Sequence, residues 1–395
     1  MIALSDEQRE VQQWAREFAQ REIAPRALLL DKDPESPERE VLLRAAARAG
    51  LLGSSLPDFL GGAGHDPVTG ALVTEELAAE CSGCAVLFGA SMLGMLPILL
   101  SGNLGAIERF VRPIAQSWET DHPKLAALAA TEPDVSSDFI MGHPQGRLRT
   151  RVEKKNGGYL INGRKIFISN GSLASLVTVF ASHDPTGPIR ESVSCFAVPA
   201  DTKGFAVGQV FEKMGQRAAP AAELIFDDVW VPEENRLGNE GGGFALNRLI
   251  MSVTRTPIAA IALGIARSAY EKALAYAEAR TQGGGPIVRH QAIEIMLADM
   301  AIRVEAARAL VWSAASSLAV GKPSLKLSSM AKTFASDAAV TNALDAIQIL
   351  GGYGYMREYG VEKLLRDAKL TQIYEGTNQV NRFEIMEAIA AERAA

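Results

Sequence analysis

A chain of 395 residues is long enough for two or three domains around a large core, which excludes a single small module. Its 48% hydrophobic and 22% charged residues are those of an ordinary globular protein, and its net charge of −6 argues against nucleic acid or an anionic membrane surface as a partner. Small molecules and proteins are the expected ligands.

The first residues enter a polar amphipathic segment without a basic stretch leading into an apolar one. No secretory signal is read, and a cytoplasmic location is expected. Ser5-Asp6-Glu7-Gln8 has the form of a capping box, and Val11, Trp14, Ala15, Phe18 and Ile23 follow at helical spacing ahead of Pro25. Helical patterns recur over 38–49, 68–80, 85–100 and 104–116, separated by breaks such as Gly61-Gly62-Ala63-Gly64. The uncharged stretch 84–103 has the length of a membrane span, but Gly89, Ser91, Gly94, Pro97 and Ser101 dilute it, and it is read as a buried core helix. Cys81-Ser82-Gly83-Cys84 matches C-x-x-C but has no second pair, and with Cys195 the count is odd. A helix-to-helix junction with reduced thiols is expected there.

From Leu125 the texture changes. Short β-rich runs at 147–155, 159–169, 176–182, 192–199, 205–213 and 222–231 alternate with turn signals such as Asn156-Gly157. Strands do not alternate with helices, which disfavours a doubly wound nucleotide fold. After Gly241-Gly242-Gly243 long Ala-rich helical patterns return over 244–280, 287–320 and 322–350, with a last one after Thr377. The fold class expected is α+β: an N-terminal helical domain over 1–124, a middle antiparallel β-barrel or sandwich over 125–235, and a C-terminal antiparallel helical bundle over 236–395.

The chain has no G-x-G-x-x-G after a strand, no phosphate-binding P-loop and no G-x-S-x-G elbow, and its five histidines show no metal-ligand spacing. A metal site is therefore not expected. One acid stands out. Glu375 is the only carboxylate between Gln372 and Arg382, set between Tyr374 and Gly376. Burial of such a group would raise its pKa from about 4.3 toward roughly 6 to 7, as suits a base that stays ionised near neutral pH. The alternative is a glutamate that merely precedes a glycine helix cap.

The order helical, β, helical and the run Gly351-Gly352-Tyr353-Gly354, Leu365-Arg366-Asp367-Ala368-Lys369 and Gln372-Ile373-Tyr374-Glu375-Gly376-Thr377 resemble the acyl-CoA dehydrogenase family from first helix to last. The resemblance implies FAD-dependent α,β-dehydrogenation of an acyl-CoA, with Glu375 matching the base that takes the α-proton and flavin N5 taking the β-hydride. It implies a homotetramer and an electron-transfer flavoprotein as electron acceptor. It also implies that Leu128, Thr131, Ser137, Phe167, Ile168 and Ser169 line the flavin. Arg280, Gln282, Gln291, Gln348, Gly351 and Gly352 would hold its pyrophosphate and adenosine end across a subunit contact, and Thr377 and Gln379 would complete that site. Ser137, Ser252, Arg255, Tyr374 and Gly376 match positions around the thioester.

Several positions depart from the family pattern. Asp134-Val135-Ser136 replaces Gly-Ala-Gly, Phe167 a tryptophan, Ser252 an aspartate, and Gly283 the aromatic of an Arg-x-x-Phe-Gly element. Thr254 occupies the place where other branches of the family carry their base, so Glu375 has no rival there. The uncharged helix 85–100 disfavours a dicarboxylyl substrate. Two alternatives stand beside this reading: the same fold acting on a carrier-protein-bound acyl group or passing electrons to oxygen, and a catalytically silent helical scaffold.

Overall fold

The computed structural model describes residues 4–394. Ser5 caps the first helix as its sequence requires: its hydroxyl accepts the Gln8 amide and the Gln8 side chain accepts the Ser5 amide, both at 3.1 Å. That helix, α1 (Asp6–Phe18), buries Ala15 and Phe18. It is followed by α2 (Ala24–Lys32) and α3 (Glu38–Arg48). Pro25 lies in the first turn of α2, where its missing N–H leaves no bond unmade.

The patterns at 68–80 and 85–100 form a single long element, α4 (Pro67–Ser101), interrupted at Cys81, whose φ of −157° and ψ of 108° leave helical space. The junction at the C-x-x-C segment is thus one residue wide. All three cysteines are free and buried. Pattern 104–116 is divided instead into a short turn, a π-helical segment Ile107–Val111 and a helix Arg112–Ser117.

The middle of the chain is a sheet of β1 (Leu125–Ala129), β2 (Arg151–Lys155), β3 (Gly158–Ser169), β4 (Ala174–Ser182), β5 (Val193–Pro199), β6 (Phe205–Val210), β7 (Ala221–Pro232) and β8 (Arg236–Leu237). Its order is β6-β7-β3-β2-β4-β5-β8, with β1 alongside β4. Most ladders are antiparallel, as expected. Two are parallel, β1 with β4 and a single bridge between β2 and β4, so the sheet is mixed. β1 returns from the N-terminal helices rather than through a hairpin, so no tight turn forces it antiparallel.

The helices α5 (Gly243–Ala279), α6 (Gln291–Ala319), α7 (Leu325–Leu350), α8 (Val361–Thr371) and α9 (Asn378–Ala394) complete the chain. α8 was not foreseen as a helix, although Val361, Leu364 and Ala368 place one buried stripe on it. α4 and α5 are long and apolar enough to cross a bilayer, yet 72% of the apolar window of each is buried inside the protein. They cross closely because of glycine: a Cβ on Gly264 would stand 2.6 Å from the Glu75 carbonyl oxygen. Beside this crossing the buried Glu75 and Glu76 are paired with Arg267 of α5, with further bonds to Arg308 of α6 and Arg16 of α1.

A second close approach joins α4 to the sheet. Ser91 Oγ accepts the Ala126 amide at 3.0 Å, and the Thr178 hydroxyl donates to the Gly94 carbonyl at 2.9 Å. A Cβ on Gly94 would collide with Ala127 N and stand 2.6 Å from the Ala126 carbonyl carbon. Backbone cannot yield as a side chain does. Gly94→Ala is therefore expected to cost about 1–3 kcal/mol or more of stability in urea denaturation, despite alanine's better helix propensity. An unchanged midpoint would show that this contact is not tight.

Candidate active site

Glu375 lies in the loop between α8 and α9 with φ of +56°, and Gly376 follows at +83°. A left-handed glutamate is uncommon and has to be held by its surroundings. Arg255 of α5, fully buried, donates from Nε to the Glu375 carbonyl at 2.9 Å and from Nη1 to Ser329 Oγ at 2.8 Å and to Glu384. Lys332 of α7 donates to the Gly376 carbonyl at 2.8 Å and to Asn378 Oδ1 at 2.9 Å. Asn381 of α9 adds a donor to the same Gly376 carbonyl at 2.9 Å. A Cβ on Gly376 would stand 3.1 Å from Arg255 Nη2, so glycine here satisfies both the backbone angle and the space.

These donors engage backbone oxygens, not the carboxylate. The Glu375 side chain has one bonded partner, Thr254, whose Oγ1 lies 2.7 Å from Oε2 and 3.0 Å from the Ile250 carbonyl. One hydroxyl serves both protonation states. It donates to the carboxylate when that is ionised, and it accepts from the carboxyl while donating to Ile250 when that is protonated. Burial pushes the Glu375 pKa up, and the Thr254 bond with the charges of Arg255 and Lys332 offsets only part of that. Burial, joined by the charge of Arg255, brings Lys332 down to about 7 against the attraction of Glu375 and Asp337.

Glu375 and Tyr374 line a cavity of about 630 Å³ between α4, α5 and the sheet. Most of its wall is apolar, with Leu77, Val86, Leu93, Leu96, Ile258 and Ile261 as examples. On the sheet side it is lined by Leu128, Thr131, Phe167, Ile168 and Ser169. Thr131 and Ile166 stitch that wall together with bonds of 3.0 Å, amide to carbonyl, and 2.6 Å, hydroxyl to carbonyl. Beneath it Lys165 and Glu132, both without exposed side-chain surface, pair at 2.9 Å, and Glu132 accepts the Arg149 and Thr150 amides at 2.6 and 2.9 Å. Burial would raise Glu132, but Lys165 and these donors outweigh it and hold the carboxyl low. The ladder of β3 with β7 slips between Lys165 and Ile168, and Phe167, at φ of +58°, turns out of it and is 60% exposed.

The cavity therefore unites seven of the residues singled out from the sequence: Leu128, Thr131, Phe167, Ile168, Ser169, Tyr374 and Glu375. Others lie elsewhere. Arg255, expected against the thioester, does not line the cavity: its Nε and Nη1 bond the Glu375 carbonyl, Ser329 and Glu384, while its Nη2 is buried without a hydrogen-bond partner. Ser252 likewise is buried with its hydroxyl bonded to the Leu249 carbonyl at 2.7 Å, one turn back in α5. Ser137 is half-buried at the start of the short helix Ser137–Met141, whose Phe139 and Ile140 reach the cavity in its place. Gly376 is buried behind the loop, and Thr377 Oγ1 accepts the Val380 amide at 3.3 Å as a cap of α9. Arg280, Gln282, Gln291, Gln348, Gly351, Gly352 and Gln379 are exposed and form no enclosed site within one chain. Arg280 and the Gly351-Gly352 turn are nonetheless neighbours, since the guanidinium lies 5.7 Å from the Tyr353 ring centroid. Lys332, Glu384, Asn381 and Lys165 were not assigned roles from the sequence. Charged residues on the apolar faces of otherwise Ala-rich helices are the signal that marks Lys332 and Glu384. No group of His, Cys, Asp and Glu among the described residues is arranged to hold a metal ion.

Comparison with known proteins matches three consecutive family models: acyl-CoA dehydrogenase N-terminal domain at residues 5–117, middle domain at 127–229 and C-terminal domain at 241–390. An acyl-CoA dehydrogenase of Bacillus subtilis (strain 168) is 45% identical over 383 residues, 97% of each chain. Butyryl-CoA dehydrogenase of Megasphaera elsdenii superposes with a TM-score of 0.90 at 35% identity, covering 99% of this chain and 100% of that one. A chain in the structure of the electron-transferring flavoprotein of Acidaminococcus fermentans superposes with a TM-score of 0.91 at 37% identity, covering 98% and 99%.

Removing one partner of a buried pair leaves the other charge without compensation. Arg255→Met is expected to lower stability by about 3–5 kcal/mol in urea denaturation, and the double change Arg255→Met with Glu384→Met to restore part of it. A loss below about 1 kcal/mol would contradict the pinning role given to Arg255.

Proposed function

The chain belongs to the acyl-CoA dehydrogenase family, and from that premise we propose that Glu375 abstracts the α-proton of an acyl-CoA thioester bound in the cavity. One observation carries this reading. Glu375 is the only carboxylate among the residues lining an otherwise apolar cavity, and its pKa is raised there by burial. A base so placed is strong enough to act on a weakly acidic carbon and is not quenched by a cation on its oxygens.

The family implies a flavin, and the sheet-side wall fits one. Its residues are uncharged, its hydroxyls are those of Thr131 and Ser169, and the exposed ring of Phe167 rests 4.9 Å from that of Phe211. These suit a flat ring with polar edges, and we assign Leu128, Thr131, Phe167, Ile168 and Ser169 to holding it, as FAD. Bound there, it supplies the acceptor for the β-hydride. The residues of the chain do the rest. The Glu375 N–H donates to no group of the chain among the described residues and is available to the thioester oxygen as enolate-like charge develops. Thr254 keeps the carboxylate oriented, and the apolar walls exclude water from the reacting carbons.

We further propose an electron-transfer flavoprotein as the acceptor, a cytoplasmic location, and a tetramer of identical chains. Exposed apolar side chains on the C-terminal helices, Ile295, Ile302, Phe334, Phe383 and Met386, support assembly with further copies. The exposure of Arg280, Gln291 and the Gly351-Gly352 turn is that of half-sites for the distal part of FAD.

Anaerobic mixing with a panel of acyl-CoA esters should bleach the flavin of the purified holoprotein. Glu375→Gln should slow that bleaching by about 10²–10⁴-fold while flavin stays bound. Undiminished bleaching would remove Glu375 from the role of base. Thr254→Val tests the hydroxyl through pH. Activity needs the ionised base, so it rises with pH through the Glu375 pKa, and loss of a bond that favours the ionised form pushes that pKa higher. The acid limb of the kcat profile should move to higher pH with the alkaline plateau little changed. A uniform fall across all pH would instead give Thr254 a role unrelated to ionisation.

A further inference from the structure

The C-x-x-C segment plays no part in the reaction proposed for Glu375, yet each of its residues has a partner. Cys81 is where α4 leaves helical angles, so it stands as the N-cap of the second half of the helix, with Cys84 at the third position of the first turn. Those are the two positions that a capping box joins. Here the Cys84 amide and thiol both bond to the Cys81 sulfur. Lys363 of α8 donates to the same sulfur at 3.4 Å and to Asp367 Oδ2 at 2.6 Å. Ser82 donates to Asp367 Oδ2 at 2.9 Å. Gly83 lies against Gln216, where a Cβ would come within 3.0 Å of the backbone.

A buried sulfur ordinarily keeps its proton. At Cys81 burial is overcome: the bond from the Cys84 thiol does most to lower its pKa, and the Lys363 ammonium adds to that. The same bond pushes the Cys84 thiol up. One sulfur that ionises readily, beside a lysine and one turn from a second that stays protonated, is the arrangement of an attacking and a resolving cysteine. Cys195 is the contrast within the chain, since burial dominates there and drives its thiol up. Cys81 and Cys84 are buried, but an open cavity of about 170 Å³ lined by Ala79, Glu80 and Lys272 reaches the residue next to Cys81. A water takes about 30 Å³, so a molecule as small as hydrogen peroxide fits in that cavity.

We propose that Cys81 and Cys84 are a redox site that hydrogen peroxide closes into a disulfide, and that closing it slows the reaction at Glu375. The Cys81 thiolate attacks one peroxide oxygen: an S–O bond forms, the O–O bond breaks, and the departing hydroxide takes a proton to become water. The Cys84 sulfur then attacks that of Cys81: an S–S bond forms, the S–O bond breaks, and hydroxide leaves with the Cys84 proton as a second water. The two thiols lose two electrons and two protons, and the peroxide gains them. The disulfide withdraws the sulfur charge that Lys363 bonds, and Lys363 is also the ion-pair partner of Asp367. Asp367 is two bonds from the base loop, for its Oδ1 accepts the Gln216 amide at 2.5 Å and Gln216 Nε2 donates to the Tyr374 hydroxyl at 3.3 Å. Gln216 is itself left-handed, at φ of +50°, and depends on such contacts to stay so. Tyr374 precedes Glu375 and lines the cavity with it. The effect on turnover rests on the acyl-CoA reading above, whereas the disulfide does not.

The test treats the flavin-loaded protein with hydrogen peroxide and then removes the peroxide with catalase. Free thiols are counted by alkylation in denaturant and located by mass spectrometry, and the flavin is bleached anaerobically with the acyl-CoA ester that bleaches the untreated protein fastest. The thiol count should fall from three to one, with Cys195 alkylated and Cys81 linked to Cys84. Bleaching should slow by at least about tenfold, since misplacing a reacting group by ~1 Å costs on the order of 100-fold. Dithiothreitol should restore both. The double variant Cys81→Ser with Cys84→Ser should bleach at its untreated rate after the same exposure, and Cys81→Ala with Cys84→Ala makes the same comparison if serine at these buried positions prevents folding. Three thiols surviving the peroxide, a disulfide that leaves bleaching unchanged, or an equal slowing in the double variant overturns the proposal. Failure of every ester to bleach the untreated protein defeats the acyl-CoA reading instead, and the thiol count still decides whether the disulfide forms.

Discussion

A carboxylate proposed as a base inside an apolar cavity has to be held still by groups that do not neutralise it. Two cations lie close to Glu375, and a direct ion pair with either would fix its position while depressing its basicity. The protein resolves this by aiming Arg255 at the Glu375 carbonyl and Lys332 at the Gly376 carbonyl. Their charges are felt through space, but desolvation is the larger influence and the pKa ends up raised. Arg255 is itself balanced by Glu384, which is shared with Arg248. What fixes the base is therefore a buried chain of charges running from α5 through α9 that acts on the backbone, leaving one neutral hydroxyl to touch the carboxylate.

The opposite wall follows the same rule. There too a buried pair, Lys165 with Glu132, lies behind the lining and not in it. It ties the segment after β1 to the middle of β3, where Phe167 bulges out in left-handed conformation. Both walls thus place a strained, positive-φ residue at the cavity and stabilise it from behind with ionic contacts away from the space where a ligand lies. Strain of this kind persists only where surrounding contacts over-determine the backbone. Here the surrounding contacts come from every domain: α4 is pressed against β1 by Gly94 and against α5 by Gly264. The cavity is the gap left where those three layers meet.

How far this was legible in the chain depends on the range of the interactions concerned. The Ser5 capping box, the six hairpin-forming runs of the sheet and the long C-terminal helices are written in local patterns, and they were readable. Glu375 was singled out because its segment matches a family signature, and the structure places it on the cavity wall. Arg255 was assigned to the ligand from the resemblance, and its bonds to the Glu375 carbonyl and to Glu384 could not be read, because Glu384 lies 129 residues away and no spacing rule joins them. Lys332 is fully buried, and although a lone lysine on an Ala-rich helix signals a special position, nothing local says that its partners are Gly376 and Asn378. β1 was missed as a strand because its parallel partner β4 is supplied from elsewhere in the chain, and α8 because its motif drew attention to chemistry before shape. Gly89 was noted only as a residue that weakens a membrane span. A Cβ there would meet nothing within 4 Å, and sequence carries no record of such empty space.

The division of labour between the two halves of α4 follows from its break. At Cys81 the backbone abandons helical angles, and the helix re-forms in a new direction. The first half packs its acids against Arg267 and Arg308 of the C-terminal bundle, while the second half gives Ser91 and Gly94 to the sheet. Between these two sets of contacts Leu77, Ala85, Val86 and Gly89 of α4 line the cavity. The cavity thus runs along a single helix whose two halves are anchored to different domains.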